Sequence, residues 1–179
     1  MLKITLITVT TLIVVFLIVV ALQPAKFRVA RSTAVNAPPV AAYAQVDELK
    51  KWEGWNPWGK IDPAMKLSYE GPASGVGASY AWAGNNQVGE GRATITASRP
   101  NEAVQLRLDF FKPFAGTNTA EFTFKPEGDH TIVTWTMEGS CNFMAKAIHL
   151  FIDMDKMIGS QFEKGLADLK AIAEAVPVK

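Results

Sequence analysis

From Asn142 to Val176 the apolar side chains recur every three or four residues: Met144, Ile148, Phe151, Met154, Ile158, Phe162, Leu166, Leu169, Ile172 and Val176. That spacing places them on one face of a single long helix. Asp153, Lys156, Glu163, Lys164, Asp168, Lys170 and Glu174 fall on the other face. Lys164 with Asp168, and Lys170 with Glu174, stand four apart and can pair at about 0.2–0.5 kcal/mol each. Asn142 is placed to cap the first turn. Gly159 and Gly165 lie inside the helix, each costing roughly 1 kcal/mol relative to alanine. Tertiary packing must therefore hold the helix, or it bends there, or another backbone approaches closely. An amphipathic helix of this length requires an apolar surface to cover.

The residues upstream supply one. Phe27 to Val35 reads as a first strand, with Phe27, Val29, Arg31, Thr33 and Val35 on one side and Asn36-Ala37-Pro38-Pro39 ending it. Val40 to Lys51 reads as one or two short helices, with Val40, Tyr43, Ala44, Leu49 and Trp52 inward. Trp52, Trp55 and Trp58 follow at a spacing of three, but Gly54 and Pro57 interrupt any regular helix. This segment is a lid over the core, the mouth of an apolar cavity or a membrane-facing tip, since tryptophan suits surfaces that are apolar at one end and wet at the other.

From Pro63 onward, short alternating runs are separated by turn residues, the pattern of an antiparallel sheet. Met65, Leu67 and Tyr69 share one side, as do Ala78, Tyr80 and Trp82. Gln87 to Ser98 follows the Gly84-Asn85-Asn86 hairpin signal, with Gly89, Gly91, Ala93, Ile95 and Ala97 on one side and Glu90, Arg92, Thr94, Thr96 and Ser98 on the other. Val104, Leu106, Leu108 and Phe110 alternate next, then Asn118, Ala120, Phe122 and Phe124. A turn at Pro126 to His130 precedes Thr131, Val133, Trp135 and Met137. The prediction is an α+β fold of about seven antiparallel strands, curved around the long C-terminal helix, with two short helices after the first strand.

The small residues Gly89, Gly91 and Ala93 leave space above them on an inward face. Either the helix packs unusually close there or a hollow remains. Such a hollow would be lined by Tyr80, Trp82, Phe110, Phe122, Trp135, Met137, Phe151, Met154 and Phe162, with Trp52, Trp55 and Trp58 at its mouth. It would suit a hydrophobic guest. Taken singly, each of these residues reads first as core. Glu90 and Arg92 could instead point inward, but an unpaired buried charge is expensive.

Ile4 to Leu22 carries no charge, and fourteen of its nineteen residues are Leu, Ile, Val or Phe. As a helix it rises about 28 Å, close to the thickness of a bilayer core. A cleaved signal peptide is the other reading, with Lys3 as its basic region and Val19-Val20-Ala21 as a cleavage site, but its usual apolar run is only about 7–15 residues. Retained, the segment makes a single-pass anchor to the cell membrane over 1–25, followed by a domain over 26–179. Lys26, Arg28 and Arg31 follow the span and only Lys3 precedes it, which places the domain on the cytoplasmic side.

The net charge of +1 supplies no attraction for nucleic acid. The single cysteine, Cys141, cannot form an internal disulfide and reads as a small apolar filler. With His130 and His149 far apart, no zinc spacing appears, so no metal or cofactor is expected. Both histidines read as solvated or structural.

Several strings resemble a known family. They are Asn36-Ala37-Pro38-Pro39, Trp52-Glu53-Gly54-Trp55-Asn56-Pro57-Trp58, Asp62-Pro63-Ala64-Met65-Lys66, Gly75-Val76-Gly77 and Val88-Gly89-Glu90-Gly91, together with Asp153-Met154-Asp155-Lys156-Met157-Ile158-Gly159 and Phe162-Glu163-Lys164-Gly165-Leu166. From about Phe27 to Ala175 the chain is similar to the helix-grip superfamily called SRPBCC. That superfamily includes START lipid-transfer domains and the polyketide cyclase/dehydrase group. The resemblance implies a sheet gripping the C-terminal helix, with a cavity for lipids or other apolar molecules, and it transfers no catalytic residue.

Three functions are then open. One is a membrane-tethered binding domain for a hydrophobic small molecule or lipid, held to the bilayer by residues 4–22. Another is a cyclase/dehydrase-like enzyme on an aromatic or polyketide-like substrate, which needs Asp109, Glu90, Arg92 and Tyr80 to converge in one cavity. The third is an interaction domain with a filled core.

Overall fold

A computed structural model describes residues 2–175. Val176, assigned above to the apolar helix face, lies outside them. The chain runs from α1 (Leu2–Leu22) into β1 (Lys26–Val35), then through α2 (Pro39–Asp47), a 3-10 turn η1 (Leu49–Gly54) and α3 (Pro57–Ile61). Six strands follow: β2 (Lys66–Glu70), β3 (Ser79–Ala83), β4 (Glu90–Arg99), β5 (Ala103–Lys112), β6 (Gly116–Glu127) and β7 (His130–Ser140). Two helices close the chain, α4 (Phe143–His149) and α5 (Met154–Ala175).

The seven strands form one antiparallel sheet in the order β1-β7-β6-β5-β4-β3-β2. Consecutive strands from β2 to β7 are neighbours, as short turns dictate. Only the α2–η1–α3 connection crosses from one edge to the other. The sheet curves around α5, the helix-grip architecture expected from the pattern. Two register shifts in the β4–β5 ladder, at Glu90/Gly91 and Ile95/Ala97, add local bend and twist.

The second shift has a further effect. Beyond it Ser98 pairs with Val104 on the inner face, rather than facing outward as strict alternation predicts. Its hydroxyl donates to Asp47 Oδ1 at 2.6 Å and lies 2.7 Å from Tyr43 Oη, tying α2 to the sheet. On α2 the buried residues are Ala41, Ala42, Val46 and Asp47, and Val40 is exposed, contrary to its expected inward place. Pro39 in the first turn sets the start of this helix, one residue earlier than the sequence reading.

The C-terminal segment is two helices, not one. Asn142 Oδ1 accepts from the Ala145 amide at 2.8 Å, as a cap should. Four residues, 150–153, then break the rod, and Asp153 Oδ1 accepts from the Lys156 amide at 2.9 Å to start α5. On α5 the buried face is Ile158, Gly159, Phe162, Gly165, Leu166, Leu169 and Ala173. Phe151 and Met144 leave that face and are 79% and 60% exposed.

Both glycines of α5 mark close approaches. A Cβ on Gly159 would overlap the Arg31 guanidinium, and one on Gly165 would sit 2.9 Å from Trp135 Cζ3 and 3.0 Å from Pro57 Cδ. Arg31 is the one cation on the inner side of β1. Its Nη2 meets Asp155 Oδ2 and its Nε meets Glu163 Oε1, each at 2.8 Å. The helix is thus pinned to the edge strand across a glycine gap.

Candidate functional site

The inner face of the sheet is filled at its centre. Phe162 of α5 stacks on Trp135 of β7 with centroids 4.0 Å apart and planes 10° apart, and Phe122 stacks behind at 4.7 Å. Trp52 and Trp55 close in from η1 and its cap, edge-on to Phe122 and Trp135 at 5.7–6.3 Å. Their indole N–H groups donate to the Val46 and Gln45 carbonyls. Asn56 caps α3 by accepting from the Trp58 amide, and its Nδ2 donates to Tyr80 Oη at 3.3 Å. The tryptophan segment is therefore a lid held by named hydrogen bonds. Trp135 Nε1 alone, among the described residues, is a buried side-chain polar atom without a partner. An orphan donor of that kind costs about 1–3 kcal/mol.

Seven of the twelve candidate ligand-lining residues, Trp52, Trp55, Tyr80, Phe122, Trp135, Met137 and Phe162, are buried in this cluster. The space above the small residues of β4 is filled as well. Trp82 pairs with Gly91 across the β3–β4 ladder, and a Cβ on Gly91 would overlap its ring. A void beside Trp52 and Tyr80 holds about 30 Å³, room for a water molecule. A cleft along β2 and η1, lined by Leu49, Lys50, Tyr69 and Glu70 among others, holds about 240 Å³. Ligand pockets usually measure about 300–1,000 Å³.

Burial relaxes along the inner face. Val133, Phe124 and Val104 are fully buried at the end where α5 finishes, whereas Leu108 and Phe110 at the other end of β5 are half-buried. Trp58, Trp82 and Met154 are half-buried beside them, with Trp82 edge-on to Phe110 at 5.7 Å. These five side chains are only partly covered, at the end where β1 begins and α5 starts. Four of the twelve candidates, Trp58, Trp82, Phe110 and Met154, are among them. The twelfth, Phe151, lies outside both groups on the exposed break between α4 and α5. Leu108 was a foreseeable addition, because it shares the face of Phe110.

The titratable candidates do not converge. Glu90 pairs with Lys112 at 2.8 Å and Arg92 with Glu70 at 3.2 Å, both on the outer face. Asp109 is also on the outer face, its carboxyl held low by the Thr117 hydroxyl and by Arg107, against partial desolvation. Tyr80 is inside, where burial pushes its hydroxyl above its ordinary range and favours the neutral form. Cys141 Sγ lies 3.6 Å from His149 Nδ1, but burial raises its pKa, so it is no ready thiolate. Among the described residues no group of three His, Cys, Asp or Glu is placed to hold a metal.

Comparison with known proteins agrees with this fold. The family described as polyketide cyclase / dehydrase and lipid transport matches residues 26–174. Among solved structures, the di-domain ARO/CYC StfQ from the steffimycin biosynthetic pathway is similar over 84% of this chain and 51% of its own, at 13% identity and a TM-score of 0.63. The Aha1 dimer from Colwellia psychrerythraea is similar over 83% of this chain and 97% of its own, at 17% identity and a TM-score of 0.60. Major latex-like protein 151 from Panax ginseng is similar over 83% and 97%, at 13% identity and a TM-score of 0.56. At these identities the likeness is one of fold. No curated protein matches the chain.

Proposed function

The chain belongs to the polyketide cyclase/dehydrase and lipid transport family, and from that premise we propose that it is a membrane-tethered binding domain for a hydrophobic small molecule or lipid. The observation that carries this reading is the gradient of burial: five apolar side chains at one end of the inner face are only half covered. Trp58, Trp82, Leu108, Phe110 and Met154 form the groove, and the stacked centre of Phe122, Trp135 and Phe162 is its closed back wall. A guest seated there exchanges water for apolar surface at about 25 cal/mol per Å² buried.

Residues 4–22 serve as a single bilayer span, within a 21-residue helix long and apolar enough to cross a membrane. The domain lies on the cytoplasmic side, following the basic residues after the span. The full chain in nanodiscs should take up a fluorescent fatty acid saturably, and Met154→Lys or Leu108→Glu should weaken that uptake. Uptake that never saturates, or that ignores both substitutions, would count against the groove.

A second reading, an interaction domain, is favoured by the filled centre. It would be preferred if no apolar probe saturates while the folded domain captures a defined protein partner. The enzymatic reading lacks its requirement, since Asp109, Glu90 and Arg92 face away from Tyr80.

A further inference from the structure

We propose that the groove end of the domain is a bilayer-docking face, with the β5–β6 hairpin and the α4–α5 corner seated in the headgroup region beside α1. This deepens the binding reading above and rests on it for purpose, although its geometry stands separately.

Large apolar side chains are exposed in a cluster at this end. Phe111 projects from the end of β5, Phe114 from the turn between β5 and β6, Phe143 and Met144 from α4, and Phe151 and Ile152 from the break before α5. Phe114 and Phe151 are 65% and 79% exposed. The ladder pairs Lys26 with Ser140 and Phe110 with Gly116, so the starts of β1 and β6 and the ends of β5 and β7 share one end of the sheet. An apolar rim of this kind marks a contact surface.

The same end is tied to the apolar helix. Only Gln23, Pro24 and Ala25 separate α1 from β1, a reach of about 10 Å even fully extended. The link is held short, because the Cys141 amide donates to the Ala25 carbonyl at 2.9 Å. Lys146 Nζ of α4 donates to the Ala21 carbonyl at 3.2 Å, on the last turn of α1, where backbone carbonyls lack helical partners. Val20 of α1 is fully buried, whereas the residues before it are exposed along the span. A bilayer that holds α1 therefore lies against this end and no other. Phenylalanine and methionine on that rim, with Lys26 and Lys146 beside them, suit an interface that is apolar on one side and hydrated on the other. The groove of Trp58, Trp82 and Phe110 opens at the same end, so a lipid could pass between bilayer and groove without crossing water.

The test uses the full chain with Cys141→Ala, reconstituted in phosphatidylcholine/phosphatidylglycerol vesicles without added ligand. A single cysteine at Phe114→Cys, Phe151→Cys or Val76→Cys carries an environment-sensitive fluorophore, Val76 being exposed on the distant β2–β3 loop. Labels at 114 and 151 should shift to the blue and be quenched by shallow doxyl lipids more than by deep ones, since interfacial burial is only about 5–10 Å. The label at 76 should stay water-like. Water-like emission at 114 and 151 overturns the proposal, as does a blue shift without doxyl quenching, which would mean protein covers the rim. Fatty-acid uptake by the same samples is a separate readout. Uptake without lipid contact sinks docking alone, and lipid contact without uptake keeps docking and sinks the binding reading.

Discussion

Phe162 on α5 and Trp135 on β7 lie face to face, 4.0 Å between centroids and 10° between planes. This contact is the seam where the sheet closes on its helix, and both residues are almost fully buried. It joins the last element of the chain to the centre of the sheet.

Truncating that seam should be costly. Phe162→Ala should lower unfolding stability by about 3–5 kcal/mol, the range for large aromatic truncations in a packed core. Urea denaturation followed by tryptophan fluorescence measures it. A loss below about 0.5 kcal/mol, the scale of an ordinary surface change, would show that the seam does not hold the helix.

Gly159 and Arg31 should behave as a coupled pair. Alanine at 159 adds up to about 1 kcal/mol of helix propensity, but its Cβ displaces the guanidinium from Asp155 and Glu163. Gly159→Ala should therefore stabilise the protein in an Arg31→Ala background and fail to do so in the wild type. Equal effects in both backgrounds would refute the close-approach explanation of this glycine.

The same cluster sets an acid dependence. Hydrogen bonds from Arg31 hold the Asp155 carboxyl below its ordinary value. The unfolded chain, where Asp titrates near ~3.9, then binds the proton more tightly than the folded one. The contribution is complete above that value and disappears as pH falls through the lower folded pKa. The stability difference between wild type and Asp155→Asn should be level at neutral pH and narrow below about pH 4. A difference that instead changes between pH 6 and 8 would point to another group.

Gly91 should resist any side chain. A Cβ there meets the Trp82 ring and, at 2.6 Å, the Asp109 carbonyl. Gly91→Ala should cost about 1–3 kcal/mol by overpacking, and the Trp82 contribution to near-ultraviolet circular dichroism should change. A stable variant with an unaltered spectrum would show that the groove wall is looser than it looks.

Much of the architecture was readable before any coordinates. A period of two from Met65 to Met137 and a period near 3.6 afterwards dictate a sheet and a covering helix, because side-chain direction follows backbone geometry in both elements. The cap at Asn142, the turns and the apolarity of α1 are local properties and were equally legible. The half-covered end of the inner face was only partly legible: Trp58, Trp82, Phe110 and Met154 were inward-facing in the sequence, but nothing local separated them from the buried Trp52, Phe122 and Trp135.

What required the folded chain was everything set by neighbours distant in sequence. Periodicity alone could not see that Asp153 starts a new helix and turns Phe151 outward, nor that a bulge after Ile95 brings Ser98 inside. Gly89 and Gly91 suggested a hollow, and the ring of Trp82 on the neighbouring strand filled the space above Gly91. Local spacing determines which way a side chain points, whereas the room in front of it belongs to whatever the fold brings there.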